Sequence, residues 1–148
     1  MRSGITLLTL IGAAMDPLVA QTIQGVWKPV QVVIDSGADA GRHTTDVQPG
    51  LLMFAKRHYS MMYVLGFKPR AIPSDSASDQ ELGLSFVPFI ANGGTYQRTD
   101  STITFSPSVA KHPAVMTGKP ITRQIRVKGD TLWLTSPGLK ATWVRIER

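Results

Sequence analysis

The side chains best suited to hold a small molecule lie on short segments with an alternating pattern. In residues 59–64, alternation places Tyr59, Met61 and Tyr63 on one face of a strand. Two phenols and a polarisable thioether on a single face are suited to the wall of a pocket, if that face points inward. Further candidate ligand contacts on later segments are Tyr96, Phe105 and Trp133.

Arg123 is the charged residue whose neighbours most suggest a binding role. It shares one alternating face of residues 121–127 with Ile121 and Ile125, so an inward-facing strand would place a guanidinium among aliphatic side chains. Such a charge requires a carboxylate, a phenol or an anionic ligand as its partner. We hypothesise that Arg123, with Tyr59 or Tyr63, anchors the polar end of an otherwise apolar ligand. The alternative is a structural salt bridge or an arginine at the rim of the fold.

Groups that would support catalysis or metal binding show no comparable pattern. The chain of 148 residues has three histidines and no cysteine, and no two histidines are spaced for joint metal ligation. Motifs for a serine nucleophile, a phosphate loop or a zinc site are missing. We therefore predict no catalytic residue set, no metal and no cofactor. An enzyme of the isomerase, cyclase or lyase type, with Tyr, His and Arg as acid–base groups, is the alternative.

The elements that position these residues are predicted to be short strands. Residues 51–54 and 59–64 form one predicted hairpin, and residues 121–136 form the clearest one, with a turn at Lys128, Gly129 and Asp130. One short helix is predicted near residues 79–90, with Ser76 or Ser78 as its cap. Eight or nine closely spaced strands favour an antiparallel barrel or sandwich.

The first twenty residues differ from the rest of the chain. Arg2 precedes an apolar run at residues 5–15, and small residues follow up to Ala20. This order is typical of a secretory signal peptide, and the run is too short for a stable membrane anchor. We predict a signal peptide at residues 1–20, one domain at residues 21–148, and export to the periplasm or the extracellular space.

The net charge of +6 is concentrated in the last part of the chain. Residues 21–108 carry equal numbers of basic and acidic side chains, whereas residues 109–148 carry eight basic and two acidic ones. No nucleic-acid-binding motif accompanies these cations, so we predict no nucleic-acid partner. An envelope protein whose basic half contacts an anionic membrane surface or polymer, even weakly, is a second alternative.

Five segments in order along the chain carry a resemblance to a known family. They are "GVWKPVQV", "QPGLLMFAKRHYSMMYV", "FVPFIANGGTYQ", "ITRQIRVKGDTLWLTS" and "TWVRIER". With a Gly-x-Trp at the start of the first strand, the chain resembles the bacterial lipocalin-like domain proteins of the lipocalin superfamily. It departs from secreted lipocalins in lacking their disulfide cysteines and in its helix midway.

The resemblance implies an all-β fold: an antiparallel up-and-down barrel with one short helix inserted midway and a central apolar cavity. It also implies that the partner is a small hydrophobic or amphipathic molecule bound in that cavity. Trp27 matches the tryptophan that in lipocalins packs under a basic residue of a late strand, and Arg145 is the candidate for that residue. This pair would have a structural role, because an indole face attracts a guanidinium.

Overall fold

The computed structural model describes residues 22–148, so the predicted signal peptide lies outside the described residues. The part described contains nine strands and two short helices. In chain order they are β1 (Gly25–Ile34), β2 (His43–Thr44), β3 (Gly50–Phe54), β4 (His58–Val64), α1 (Asp79–Phe86), β5 (Phe89–Arg98), β6 (Thr102–Ala110), α2 (Ala114–Thr117), β7 (Ile121–Lys128), β8 (Thr131–Ser136) and β9 (Leu139–Glu147).

Eight of these strands form a closed antiparallel barrel. Each strand from β3 to β9 pairs with its neighbour in sequence, and β1 pairs with both β3 and β9. The two-residue strand β2 pairs with β1 alone and extends one end of the sheet. The predicted fold class, an all-β up-and-down barrel with a helix midway, is confirmed. The structure adds the four-residue helix α2 between β6 and β7.

The helix α1 begins after Ser78, one of the two predicted caps, and ends earlier than predicted. The Ser78 hydroxyl accepts a hydrogen bond from the backbone of Glu81, whose carboxylate accepts one from the Ser78 backbone. This reciprocal capping box satisfies the first turn. The helix ends at Phe86 because Pro88 cannot continue it and β5 begins at Phe89.

The up-and-down order divides the connections between the two ends of the barrel. Three tight hairpins, β3–β4, β5–β6 and β7–β8, lie at one end, called here the floor. The longer connections, which contain β2, α1 and α2, and the two-residue β8–β9 turn lie at the opposite end, called here the mouth. The described N-terminal residues start at the floor, where buried Ile23 precedes β1.

The floor is closed by Trp27 and Arg145. The Trp27 side chain is 0% exposed, its indole N–H donates to the Ile23 carbonyl at 2.8 Å, and the Arg145 guanidinium lies 4.1 Å above its ring. The same guanidinium donates to the Thr22 and Gln24 carbonyls and lies 3.1 Å from an Asp130 carboxylate oxygen. These contacts bind the start of β1 to the end of β9 and to the β7–β8 hairpin.

The lower half of the barrel interior is filled with side chains. Phe54 and Tyr59 pack edge-on against neighbouring aromatic rings, and Phe105 lies 4.6 Å from the Tyr59 ring. Four side chains of this half are fully buried at the centre of the core: Trp27, Leu52, Ile103 and Leu132. Burial of such side chains contributes about 1.5–3 kcal/mol each. The filled half therefore supplies stability, and any internal space lies nearer the mouth.

Candidate functional site

A cavity of about 430 Å³ occupies the mouth half of the barrel. Strands from around the barrel supply its wall, and the connections after β1 and β4 supply its entrance. The volume lies within the range of about 300–1,000 Å³ that is usual for small-molecule sites. Most of the lining is apolar, and its aliphatic members include Val32, Ile34, Ile121, Leu134 and Leu139.

Four of the seven predicted ligand contacts line this cavity. They are Met61, Tyr63, Phe105 and Arg123. Met61 and Tyr63 reach it from β4, Phe105 from β6, and Arg123 from β7. The alternating face proposed from the sequence does point inward on both β4 and β7.

The other three predicted contacts lie elsewhere. Tyr59 is on the same inward face but sits lower, where it is 4% exposed and belongs to the core. The Tyr96 hydroxyl donates to the Ala55 carbonyl at 2.9 Å, in the floor hairpin between β3 and β4. Trp133 lies on the outer face of β8, with the Arg126 guanidinium 5.3 Å above its ring.

Trp143 is the main wall residue that the sequence reasoning missed. It lies on β9, is 5% exposed, and its ring stands perpendicular to the Tyr63 ring at 6.5 Å. Its indole N–H has no hydrogen-bond partner in residues 22–148. Alternation could have found it, because Ala141 and Trp143 share a face with Arg145, which the resemblance makes the candidate partner of Trp27.

Polar groups on the cavity wall are few. Asn92 on β5 lines the cavity, and its Oδ1 accepts a hydrogen bond from the Tyr59 hydroxyl at 2.7 Å. The Arg123 guanidinium makes one weak contact, 3.4 Å from the Thr122 carbonyl. Burial raises the pKa of Tyr63, and the positive charge of Arg123 opposes part of that rise. Burial also raises the pKa of Tyr59, to about 12. Both phenols are therefore neutral at physiological pH.

The entrance is crossed by a contact between two loops. The Arg42 guanidinium, which follows β1, lies 3.4 Å above the Phe67 ring, which follows β4. The same guanidinium is 3.5 Å from the Asp39 carboxylate. Asp39 and Phe67 both line the cavity, so this three-residue contact forms part of its outer edge.

The histidines lie away from the cavity wall. His43 on β2 is within 2.9 Å of the Gln31 amide, His58 begins β4 at the floor, and His112 follows β6. None of them lines the cavity. In the described residues, no group of three or more His, Asp or Glu side chains is placed to hold a metal ion.

The basic residues of the last part of the chain are spread over the barrel. Lys128 lies at the floor, whereas Lys140 lies near the mouth and is 3.1 Å from an Asp35 carboxylate oxygen. Lys111 donates to the carbonyls of Phe86 and Val87 at the end of α1. Lys111 and Lys140 thus serve separate local contacts near the mouth. Within the described residues, no helix has the length and apolar character needed to cross a bilayer.

The fold and the cavity define the class of this molecule as an eight-stranded antiparallel barrel with an internal apolar site. No family model matches the chain, and no curated protein matches it. Its structure is similar to that of an uncharacterized protein from Bacteroides eggerthii DSM 20697, which is 10% identical with a TM-score of 0.48. The match covers 82% of this chain and 98% of that one.

Proposed function

We propose that this protein is an exported, lipocalin-like carrier that binds a small hydrophobic or amphipathic molecule inside its barrel. The observation that carries the proposal is the cavity of about 430 Å³, bounded mainly by apolar side chains. Burial of an apolar ligand there removes its surface from water, at about 25 cal/mol per Å². The filled floor below the cavity keeps the wall fixed, so little ordering is required when a ligand enters.

Binding accounts for the cavity better than acid–base catalysis does. No histidine lines the wall, and the phenol that does, Tyr63, has its pKa raised by burial. Efficient general acid–base catalysis requires a group whose pKa lies near the working pH. The lipocalin-like assignment rests on the Gly25–Trp27 start of β1, the Trp27–Arg145 contact and the barrel topology.

A cavity-filling variant tests the proposal. Ala141 lines the cavity from β9, and Ala141→Phe should occupy space that a ligand would need. We expect the wild-type protein to bind the uncharged dye Nile red with a blue-shifted emission, and Ala141→Phe to lose at least about tenfold in affinity. Gln124→Phe, which adds the same ring on the outer face of β7, is the matched control and should bind like the wild type.

The proposal fails if the wild-type protein leaves Nile red emission unchanged, or if the two variants bind the dye equally well. Native mass spectrometry of protein purified from its own host is the second arm of the test. A co-purifying small molecule that is absent from Ala141→Phe would identify the natural ligand.

A further inference from the structure

Two polar side chains on the cavity wall, Asn92 and Arg123, carry hydrogen-bond donors for a ligand. Asn92 is the clearest case, because an amide side chain carries both a donor and an acceptor. Its Oδ1 already accepts the hydrogen bond from Tyr59 at 2.7 Å. The raised pKa of Tyr59 keeps that phenol protonated, and hence a donor, at neutral pH. The Asn92 amide nitrogen is therefore the group left for a ligand.

Arg123 adds a cation with no anionic partner in residues 22–148. The ion pairs of this part of the chain involve four other cations, namely Arg42, Lys140, Arg145 and Arg148. A guanidinium has five N–H donors, and here one of them makes a weak contact with the Thr122 carbonyl. Arg123 and Tyr63 both line the cavity, and the positive charge of Arg123 opposes part of the rise in the pKa of Tyr63.

Trp143 forms the wall beside the same phenol. Its ring packs against Tyr63, and its indole N–H is buried without an acceptor in the described residues. That nitrogen is shielded from the cavity as well, so Trp143 gives a ligand an apolar surface and no hydrogen bond.

The carboxylate among the described lining residues lies at the edge of the cavity. Asp39 is at the entrance and is paired with Arg42 at 3.5 Å. Ser136 on β8 lines the wall, and its hydroxyl donates to the Leu139 carbonyl at 3.5 Å. Thr44 and Gln48 belong to the connection between β1 and β3, outside the barrel wall.

We infer that the ligand is an amphiphile with an oxyanion head, a carboxylate or a phosphate, held by Arg123 on the cavity wall. Its apolar tail extends toward the mouth, where Ile34, Leu65 and Phe67 line the cavity. Hydrogen bonds between a guanidinium and an oxyanion are short and strong. The oxyanion itself supplies the acceptor atoms. The inference rests on the proposed function, because it assigns the ligand class of the same cavity.

Three probes of equal chain length test this assignment on the full chain: dodecanoate, dodecyl phosphate and 1-dodecanol. The measured quantity is the ratio of anion affinity to alcohol affinity, from calorimetric titration. We expect at least one anion to bind roughly tenfold to a hundredfold more tightly than the alcohol, the range expected for a charge-assisted hydrogen bond. The anion with the higher affinity identifies the head group.

Two variants locate the preference. Arg123→Met keeps a long apolar side chain and should reduce the anion-to-alcohol ratio to near one. Trp143→Phe keeps a ring against Tyr63 and removes an indole N–H that is shielded from the cavity, so it should leave the ratio nearly unchanged. The control Lys128→Met removes a cation from the floor end, outside the cavity, and should leave the ratio unchanged.

Equal affinities for anion and alcohol in the wild type would overturn the inference, as would a ratio unaffected by Arg123→Met. If the alcohol and Nile red bind without any preference for an anion, the carrier proposal stands and only the oxyanion head is wrong. If neither Nile red nor any of the three probes binds, both proposals fail.

Discussion

Tyr59 links the filled floor to the open half of the barrel. Its ring packs against Phe105 at 4.6 Å, and its hydroxyl donates to Asn92, which lines the cavity. The residue is 4% exposed, and burial raises its pKa to about 12. Tyr59 therefore orients the Asn92 side chain from below and does not itself line the cavity.

The raised pKa predicts how stability falls in alkali. An unfolded tyrosine loses its proton near pH 10 and the native Tyr59 near pH 12, so the unfolded state binds fewer protons in this window. The contribution of Tyr59 to the free energy of unfolding is fully present below pH 10. Between pH 10 and about 12 it falls by about 2–3 kcal/mol. Tyr59→Phe should flatten this fall, while its lost hydrogen bond costs about 1 kcal/mol at pH 7.

Urea unfolding at a series of pH values measures both effects. Tyr96→Phe serves as the comparison. Burial also raises the pKa of Tyr96, but this residue is less buried than Tyr59, so its replacement should flatten the fall less. An alkaline fall as steep in Tyr59→Phe as in the wild type would contradict the assignment.

Alternation predicted the direction of side chains better than their depth in the barrel. It placed Tyr59, Met61 and Tyr63 on one face, and all three point inward. It could not show that Tyr59 lies below the cavity, because depth depends on which distant strands fill the floor. Trp133 illustrates a signal that was available: Leu132 and Leu134 are core residues, so the residue between them faces outward.

At the scale of elements, β1 changes its inward set partway along. Trp27 and Pro29 face the interior, and an extra residue opposite β9, between Pro29 and Gln31, then places Val32 and Ile34 inward. This is a β-bulge. Strict alternation from Trp27 would assign Gln31 and Val33 to the interior instead. The residue types around the bulge give no signal for it. The pairing with β9 determines where the extra residue of β1 lies.

Helix α1 was predicted from its cap and its acidic first turn, and both are present. The helix contains no buried residue, so the barrel does not depend on it. We expect Ser78→Ala to destabilise α1 locally by about 1 kcal/mol, because the capping box is lost. The free energy of global unfolding should change by much less.

Amide hydrogen exchange distinguishes local from global effects. In Ser78→Ala, amides of α1 should exchange faster, while those of β4 and β5 on either side keep their protection. Ser76→Ala is the matched control, because its hydroxyl contacts Ser74 alone and makes no cap. Equal acceleration in the two variants would show that the capping box has no role.

At the scale of the whole molecule, the pairing of β1 with β9 closes the barrel. Gly25 lies at the floor end of this seam with φ +119°, and a Cβ atom there would overlap the Glu147 carbonyl oxygen. Gly25→Ala should therefore destabilise the fold by at least about 2–3 kcal/mol, through both backbone strain and the clash.

Gly41→Ala separates these two contributions. Gly41 also has a positive φ, +85°, but a Cβ there would meet open space. Gly41→Ala should lower the free energy of unfolding by about 1–2 kcal/mol, from backbone strain alone. Urea midpoints of the two variants measure the difference, and equal midpoints would show that the seam tolerates a side chain at Gly25.

The arrangement of the three tryptophans divides the barrel into spectroscopically distinct regions. Trp27 is sealed in the floor under Arg145, Trp133 is on the outer face beneath Arg126, and Trp143 borders the cavity. A solute quencher reaches Trp133 first, and loss of the fold changes the emission of Trp27. A ligand bound in the cavity changes the emission of Trp143. The molecule thus carries separate built-in fluorophores for its surface, its folding and its occupancy.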